Sequence, residues 1–170
     1  TRICITLAVI LVAVMFGLAD MYLQGVTQHE IEKSGNWHYA FHTIDSQTAS
    51  FISARPEVKI SGWHNTVSSE AGYSIKEQPI TISAQDKRVF EDIFLNGIAE
   101  GEYPDAPNEI AISSSLKDTA SVLLNDTVEL YNPNGSVADY QIVGFLDDTK
   151  TSRLIAENLP IVVMTPEGLG

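Results

Sequence analysis

The hydrophobic pattern divides the chain at once. Ile3 to Ala19 holds no charged residue and no proline; Arg2 stands before it and Asp20 after it. A segment with no polar face suits lipid better than the surface of a soluble domain. As a helix it covers roughly 25 Å, a little under a bilayer core of roughly 30 Å. Met21, Tyr22 and Leu23 extend the apolar length, with Tyr22 at the interface. The expected organisation is a transmembrane helix over 1–23, a helical stalk over 24–35 and an extracytoplasmic domain over 36–170. Ser34-Gly35 is the expected stop, and Gly25 the expected weak point of the rod. A cleaved signal peptide is the rival reading, since Gly17-Leu18-Ala19 is a small-x-small site, but the apolar run exceeds a usual h-region. Either reading exports residues 21–170.

Beyond the stalk the pattern alternates between periods of two and of 3.6. Asn36 to His42 puts Trp37, Tyr39 and Phe41 on one face and predicts a strand. Asp45 or Ser46 caps a helix bearing Ile44, Thr48, Phe51 and Ile52, which Pro56 ends. Strands are expected over Val58 to Trp63, Thr66 to Ile75 and Ile80 to Ile82. Ser83 with Asp86 reads as a capping box for a helix striped by Val89, Phe90, Ile93 and Phe94 and closed by Gly97. Glu100 to Pro107 reads as an acidic loop, Glu109 to Ser113 as a strand, and Leu116, Ala120, Leu123 and Leu124 as a short helix. Thr127 to Tyr131 and Val137 to Phe145 flank Asn132-Pro133-Asn134-Gly135, a hairpin signal. Asp147 to Asn158 reads as a loop or short helix, and Ile161 to Met164 as a buried strand. The class is α+β with a mixed sheet; a division into two lobes would fall near Gln85 or Gly97.

Composition narrows the function classes. Ten Lys plus Arg against 22 Asp plus Glu give a net charge of −12 over 170 residues, with little of the acidity before residue 20. That balance argues against nucleic acid and against docking on anionic lipid through a basic patch. Cys4 is the one cysteine, so neither an intrachain disulfide nor a cysteine zinc site is available.

Four stretches carry a resemblance. Asn96-Gly97-Ile98-Ala99-Glu100-Gly101-Glu102-Tyr103-Pro104 resembles a "G-x-Y-P" approach to a strand, and Asn108-Glu109-Ile110-Ala111-Ile112-Ser113 an "N-E-I-x-I-S" strand entry. Asn125-Asp126-Thr127-Val128-Glu129-Leu130 resembles "G-D-x-V-x-L", with Asn125 in place of the glycine, and Tyr140-Gln141-Ile142-Val143-Gly144 resembles "Y-x-I-V-G". In this order they are similar to the extracytoplasmic core domain of FtsX-like, MacB-type ABC transporter permeases. The resemblance implies a homo- or heterodimeric permease, three further membrane helices after the domain, and a separate cytoplasmic ATPase. It also implies an outside substrate or partner protein that the sequence does not name. The chain carries no glycine-rich phosphate loop of its own.

Other candidate chemistry is incomplete. His29-Glu30 lacks the second histidine of a zinc helix, with Lys33 at that position. His38 and His42 share the strand face expected above but lie about 13 Å apart along it, with His64 a third imidazole in the region. Ser114-Ser115-Leu116-Lys117 has S-x-x-K spacing without its partner motifs, so a helix cap is the expected role of the serine. Glu100, Glu102 and Asp105 lack calcium-loop spacing, and Asp147-Asp148 reads as a polar strand exit. Trp37 and Trp63 are expected as core or interface anchors. The sequence therefore assigns no catalytic, cofactor or metal residue. It supports a non-catalytic permease domain, or alternatively the sensing domain of a membrane receptor such as a sensor kinase.

Overall fold

A computed structural model describes residues 2–151 and 159–169. Helix α1 (Arg2–Ser34) runs without interruption through Gly25, and its 33 residues reach about 50 Å. From Ile5 it is long and apolar enough to cross a bilayer by length and composition. Its polar half is braced by its own side chains. Gln24 donates to Asp20 (2.8 Å), Thr27 to the Leu23 carbonyl (2.9 Å) and Gln28 to Glu32 (3.1 Å), all at four-residue spacing.

Residues 35–63 form no strand. The alternation over Trp37, Tyr39 and Phe41 predicts one, but these rings stay exposed (Tyr39 83 %), and an alternating face makes a strand only where a neighbour covers it. The strand expected at Val58 to Trp63 is likewise irregular backbone. Helix α2 (Ser46–Ser53) forms as its cap requires, the Asp45 carboxylate accepting from the Thr48 N–H (2.8 Å) and hydroxyl (2.7 Å). It buries no side chain.

The domain is a mixed sheet of nine strands among the described residues: β1 (His64–Val67), β2 (Ser74–Ile75), β3 (Gln78–Pro79), β4 (Thr81–Gln85), β5 (Ile98–Gly101), β6 (Glu109–Ser113), β7 (Thr127–Tyr131), β8 (Val137–Leu146) and β9 (Ile161–Met164). The order is β1-β4-β9-β6-β8-β7-β2-β3, with β4–β9 and β6–β8 parallel and the other pairs antiparallel. The single strand expected over Thr66 to Ile75 is broken by a 3₁₀ turn (Ser69–Ala71) that ends on Gly72 at φ +89°. Helix α3 (Ser115–Thr119) and helix α4 (Asp148–Thr151) are the remaining α-helices among the described residues. The expected helix near Leu116 stops at Thr119, so Val122 is buried and Leu123 exposed. The second half of the Asp147 to Asn158 stretch lies outside the described residues.

Strands β4 and β9 are buried along their whole length. Ile80, Ile82, Ile110, Ile112, Ile142, Phe145, Val162 and Met164 pack in one cluster, and Phe90, Tyr103, Ala111, Leu146, Ile161 and Val163 in a second. Ser83 is therefore a buried strand residue and no helix cap. The cap expected of Ser114 comes from elsewhere too: the Asp148 carboxylate accepts from the Ser114 (3.0 Å) and Ser115 (2.9 Å) N–H groups, while the Ser114 hydroxyl donates to the Leu146 carbonyl.

Strand β8 is the spine. Its ten residues let β7 and β5 pair one after the other along one edge, while β6 takes the other. At Val143 the register with β6 slips by one residue, and there the Glu102 N–H donates to the Val143 carbonyl (2.9 Å). The backbones meet so closely that a Cβ on Gly101 would stand 2.2 Å from the Val143 oxygen, and one on Gly144 2.4 Å from the Glu102 oxygen. The expected acidic loop is thus strand at Glu100 and Gly101, and its Tyr103 and Pro104 are buried. Asn125, which stands in place of the expected glycine, sits at φ +69°, a left-handed angle that asparagine tolerates. The hairpin turn forms between β7 and β8, with Gly135 at φ +82°.

Two glycines of equal φ but unequal surroundings allow a direct test. Gly101 (φ +81°) is crowded; Gly135 has nothing within 4 Å of its would-be Cβ. Gly135→Ala should cost about 1 kcal/mol, and Gly101→Ala at least about 2 kcal/mol more, from thermal unfolding of the lipid-reconstituted chain. Equal costs would mean that the β5–β8 crossing is looser than described.

Candidate functional site

The sequence hands α1 to the domain at Ser34-Gly35-Asn36. Gly35 takes φ +95°, which a residue with a side chain resists, and its N–H closes the helix on the Ile31 carbonyl (2.9 Å). The turned chain meets a helical element of unusual pitch, a π-helix at Val89–Ile93. The Asn36 N–H donates to the Ile93 carbonyl (2.6 Å). A Cβ on Gly35 would lie 2.8 Å from that oxygen and 3.3 Å from the Phe94 ring, so only glycine allows this approach. The Trp37 indole N–H folds back onto the Ser34 carbonyl (2.8 Å).

The same element is held from its other side. The Asp86 carboxylate accepts from the Trp63 N–H, and the Asp86 N–H donates to the Trp63 carbonyl (3.0 Å). A Cβ on Gly62 would meet Val89 at 2.4 Å. His64 opens β1 with its ring edge-on to Phe94 (4.9 Å between centroids, 65°) and Nε2 2.8 Å from the Thr66 hydroxyl. Burial pushes the His64 imidazole below its usual pKa. On the sheet side Phe90 packs against Tyr103 (5.1 Å), whose hydroxyl donates to the Gln85 carbonyl. Burial, then the charges of Asp86, Asp105, Glu91 and Glu167, raise the Tyr103 phenol far above its usual range, so it stays a donor. The helix expected here exists only as this short wide turn. Leu95 at φ +54°, rather than Gly97, ends it.

The segment between α1 and β1 exposes its large apolar side chains. Trp37, Tyr39, Phe41, Ile44, Phe51, Ile60 and Trp63 are all exposed, whereas from residue 64 onward only Leu123, Tyr131 and Val137 are large and exposed among the described residues. Arg55 covers part of Phe51 (5.0 Å). Trp37 and Trp63, expected as anchors, lie in this segment, about half exposed.

The remaining sequence candidates are dispersed. His29, Glu30 and Lys33 lie on α1, and His38 and His42 on irregular backbone. No group of three or more His, Cys, Asp or Glu side chains among the described residues could share a metal ion. Lys117 of the S-x-x-K stretch pairs with Glu100 (2.6 Å) and lies over the Phe145 ring (4.8 Å). Glu109 accepts from the Asp105 (2.9 Å) and Ala106 (3.0 Å) N–H groups, which folds the turn below Glu102. Asp147 caps Thr149, and Asp148 caps α3. A groove of about 360 Å³ lies under the β7–β8 turn, floored by Ile82, Leu130 and Met164 and walled by Tyr73 and Tyr140, with no charged lining residue. Sequence reasoning missed the π-helix, for which Val89 to Leu95 carries no local signal.

Residues 1–166 match a family model described as MacB-like periplasmic core domain. No curated protein matches the chain.

The His64 environment yields a pH test. The unfolded imidazole titrates near 6.5 and the folded one lower, so the unfolded state binds the extra proton between those values. The contribution to stability is complete above about pH 6.5 and is lost as pH falls toward the folded value. The difference in unfolding midpoint between His64→Gln and the parent should therefore change between pH 7.5 and 5.5, with the variant losing less on acidification. A difference that stays constant over that range would show that His64 is not desolvated.

Proposed function

The chain belongs to the MacB-like periplasmic core domain family, the extracytoplasmic domain of an ABC transporter permease, and on that premise we propose that it works as a lever. It binds no nucleotide and makes or breaks no bond. A cytoplasmic ATPase closes beneath it, a second permease protomer moves with it, and α1 carries the displacement across the bilayer to residues 36–170. The observation that carries this reading is the continuity of α1 from its apolar half into a backbone bond with the domain, Asn36 to Ile93. A helix transmits displacement along its axis because each turn is bonded to the next. The four-residue braces between Asp20 and Glu32 support the half that stands outside lipid. The outcome is export of a substrate or activation of a partner outside the membrane. The family assignment favours this over the sensing domain of a receptor.

Inserting a flexible Gly-Ser segment between Gln28 and Glu30 tests the lever. ATPase activity of the reconstituted complex should persist while transport or partner activation fails. Gly25→Ala is the control: nothing lies within 4 Å of its would-be Cβ, and alanine stiffens the helix by about 1 kcal/mol, so coupling should survive. Normal transport with the insertion would reduce α1 to a tether.

A further inference from the structure

From Val89 to Asn96 the chain is wound wider than an α-helix. The Phe90 N–H bonds the Asp86 carbonyl at ordinary α-spacing (3.0 Å). The Phe94 N–H then reaches back five residues to Val89 (2.9 Å), and the Asn96 N–H six residues to Phe90 (2.9 Å). The Phe90 carbonyl, which an α-helix would give to Phe94, is taken by Asn96. Leu95 makes this possible by adopting φ +54°, a left-handed angle costly for a residue with a Cβ.

The element is also flanked by unspent polar groups. Gln85 just before it is 0 % exposed and Asn96 at its end 7 %, and both ends of both carboxamides lack a hydrogen-bond partner among the described residues. Buried amides without partners mark a state that another arrangement can relieve. This tension sits where α1 enters the domain: Ile93 accepts from Asn36, Phe94 touches Gly35 and His64, and Phe90 packs on Tyr103, whose hydroxyl bonds β4 at Gln85.

We propose that residues 86–96 are a two-state relay between α1 and the sheet, switching from this π-wound turn to an α-helix that continues through Leu95. In the second state the Phe94, Leu95 and Asn96 amides bond the carbonyls of Phe90, Glu91 and Asp92, and Leu95 returns to a right-handed angle. The Ile93 carbonyl then turns relative to Val89, and the end of α1 turns with it. A displacement of α1 drives the exchange in one direction, and the packing of Phe90 on Tyr103 passes it to β4. The relay rests on the reading of α1 as a lever and names the part of the domain that the lever moves.

Amide exchange and chemical shifts of the full chain in phosphatidylcholine nanodiscs test it by NMR, with no ATPase or substrate present. The Phe94 and Asn96 amides should exchange about 100-fold faster than those at the centre of β4 and β9. Leu95→Asn, which tolerates the left-handed angle, should slow them about tenfold. Gly35→Ala, whose methyl would press on the Ile93 carbonyl, should speed them about tenfold and move the residue 95 Cα shift toward the helical value, with β6 and β9 unchanged. Protection at Phe94 and Asn96 equal to that of β4 overturns the relay. So does a residue 95 shift in Gly35→Ala that stays put or moves to random coil, which is fraying and not rewinding. Should Gly35→Ala fail to fold, the Leu95→Asn comparison decides alone, and unslowed exchange overturns the relay. These readouts can fail while α1 still acts as a lever. Transport that survives the Gly-Ser insertion removes the lever without altering them.

Discussion

The chain leaves a helix and enters a sheet domain within two residues, and the geometry of that step sets what the molecule can do. Gly35 turns through a left-handed angle, and Asn36 at once spends its N–H on the Ile93 carbonyl. Had the chain left α1 through a run of free residues, the helix and the domain would move independently. The absence of a side chain at Gly35 lets the two backbones close to bonding distance. From there a connected path leads into the domain: Ile93 and Phe94 at the end of the π-turn, Phe90 against Tyr103, and the Tyr103 hydroxyl on the last carbonyl of β4.

That path ends at the buried centre of the sheet. β4 lies between β1 and β9, and β9 between β4 and β6, and β4 and β9 are buried at every residue. The other side of the domain is fixed by the crossing of Glu102 over Val143 and Gly144 on β8. Tyr103 lies directly after that crossing, so the residue that receives the π-turn is anchored to the spine of the sheet. The four stretches that carry the family resemblance make these connections. Gly101 and Gly144 permit the crossing, Glu109 folds the turn beneath it, and Asn125 supplies a left-handed corner before β7. They are architectural residues, which fits the proposed role of the domain as a part that is displaced.

Much of this was legible in the chain because it is local. The uncharged run from Ile3, the alternation around Ile110 and Ile112, the unbroken apolar stretch Ile161 to Met164 and the Asn-Pro-Asn-Gly turn each carry their structure in a few consecutive residues. The misses share one cause: partners distant in sequence. Trp37, Tyr39 and Phe41 alternate like a strand, but no neighbouring strand covers them. Ser83 and Asp86 look like a capping box, yet Ser83 is claimed by the sheet and Asp86 by Trp63. Ser114 looks like a cap and is itself capped by Asp148, 34 residues on. Nothing local in Val89 to Leu95 separates a π-turn from an α-helix; the difference lies in what its two ends must reach.

The central claim is that the Gly35–Asn36 junction ties the end of α1 to the π-turn of the domain. Electron–electron distance measurement between spin labels on Glu32→Cys in α1 and Glu91→Cys in the π-turn, in a Cys4→Ser background and in lipid, addresses it directly. Both label sites are exposed. A rigid junction at Gly35 and Asn36 predicts one narrow distance distribution, unchanged between detergent and bilayer. A broad distribution, or one that shifts with the surrounding lipid, would show that the helix swings freely on the domain and would contradict the account.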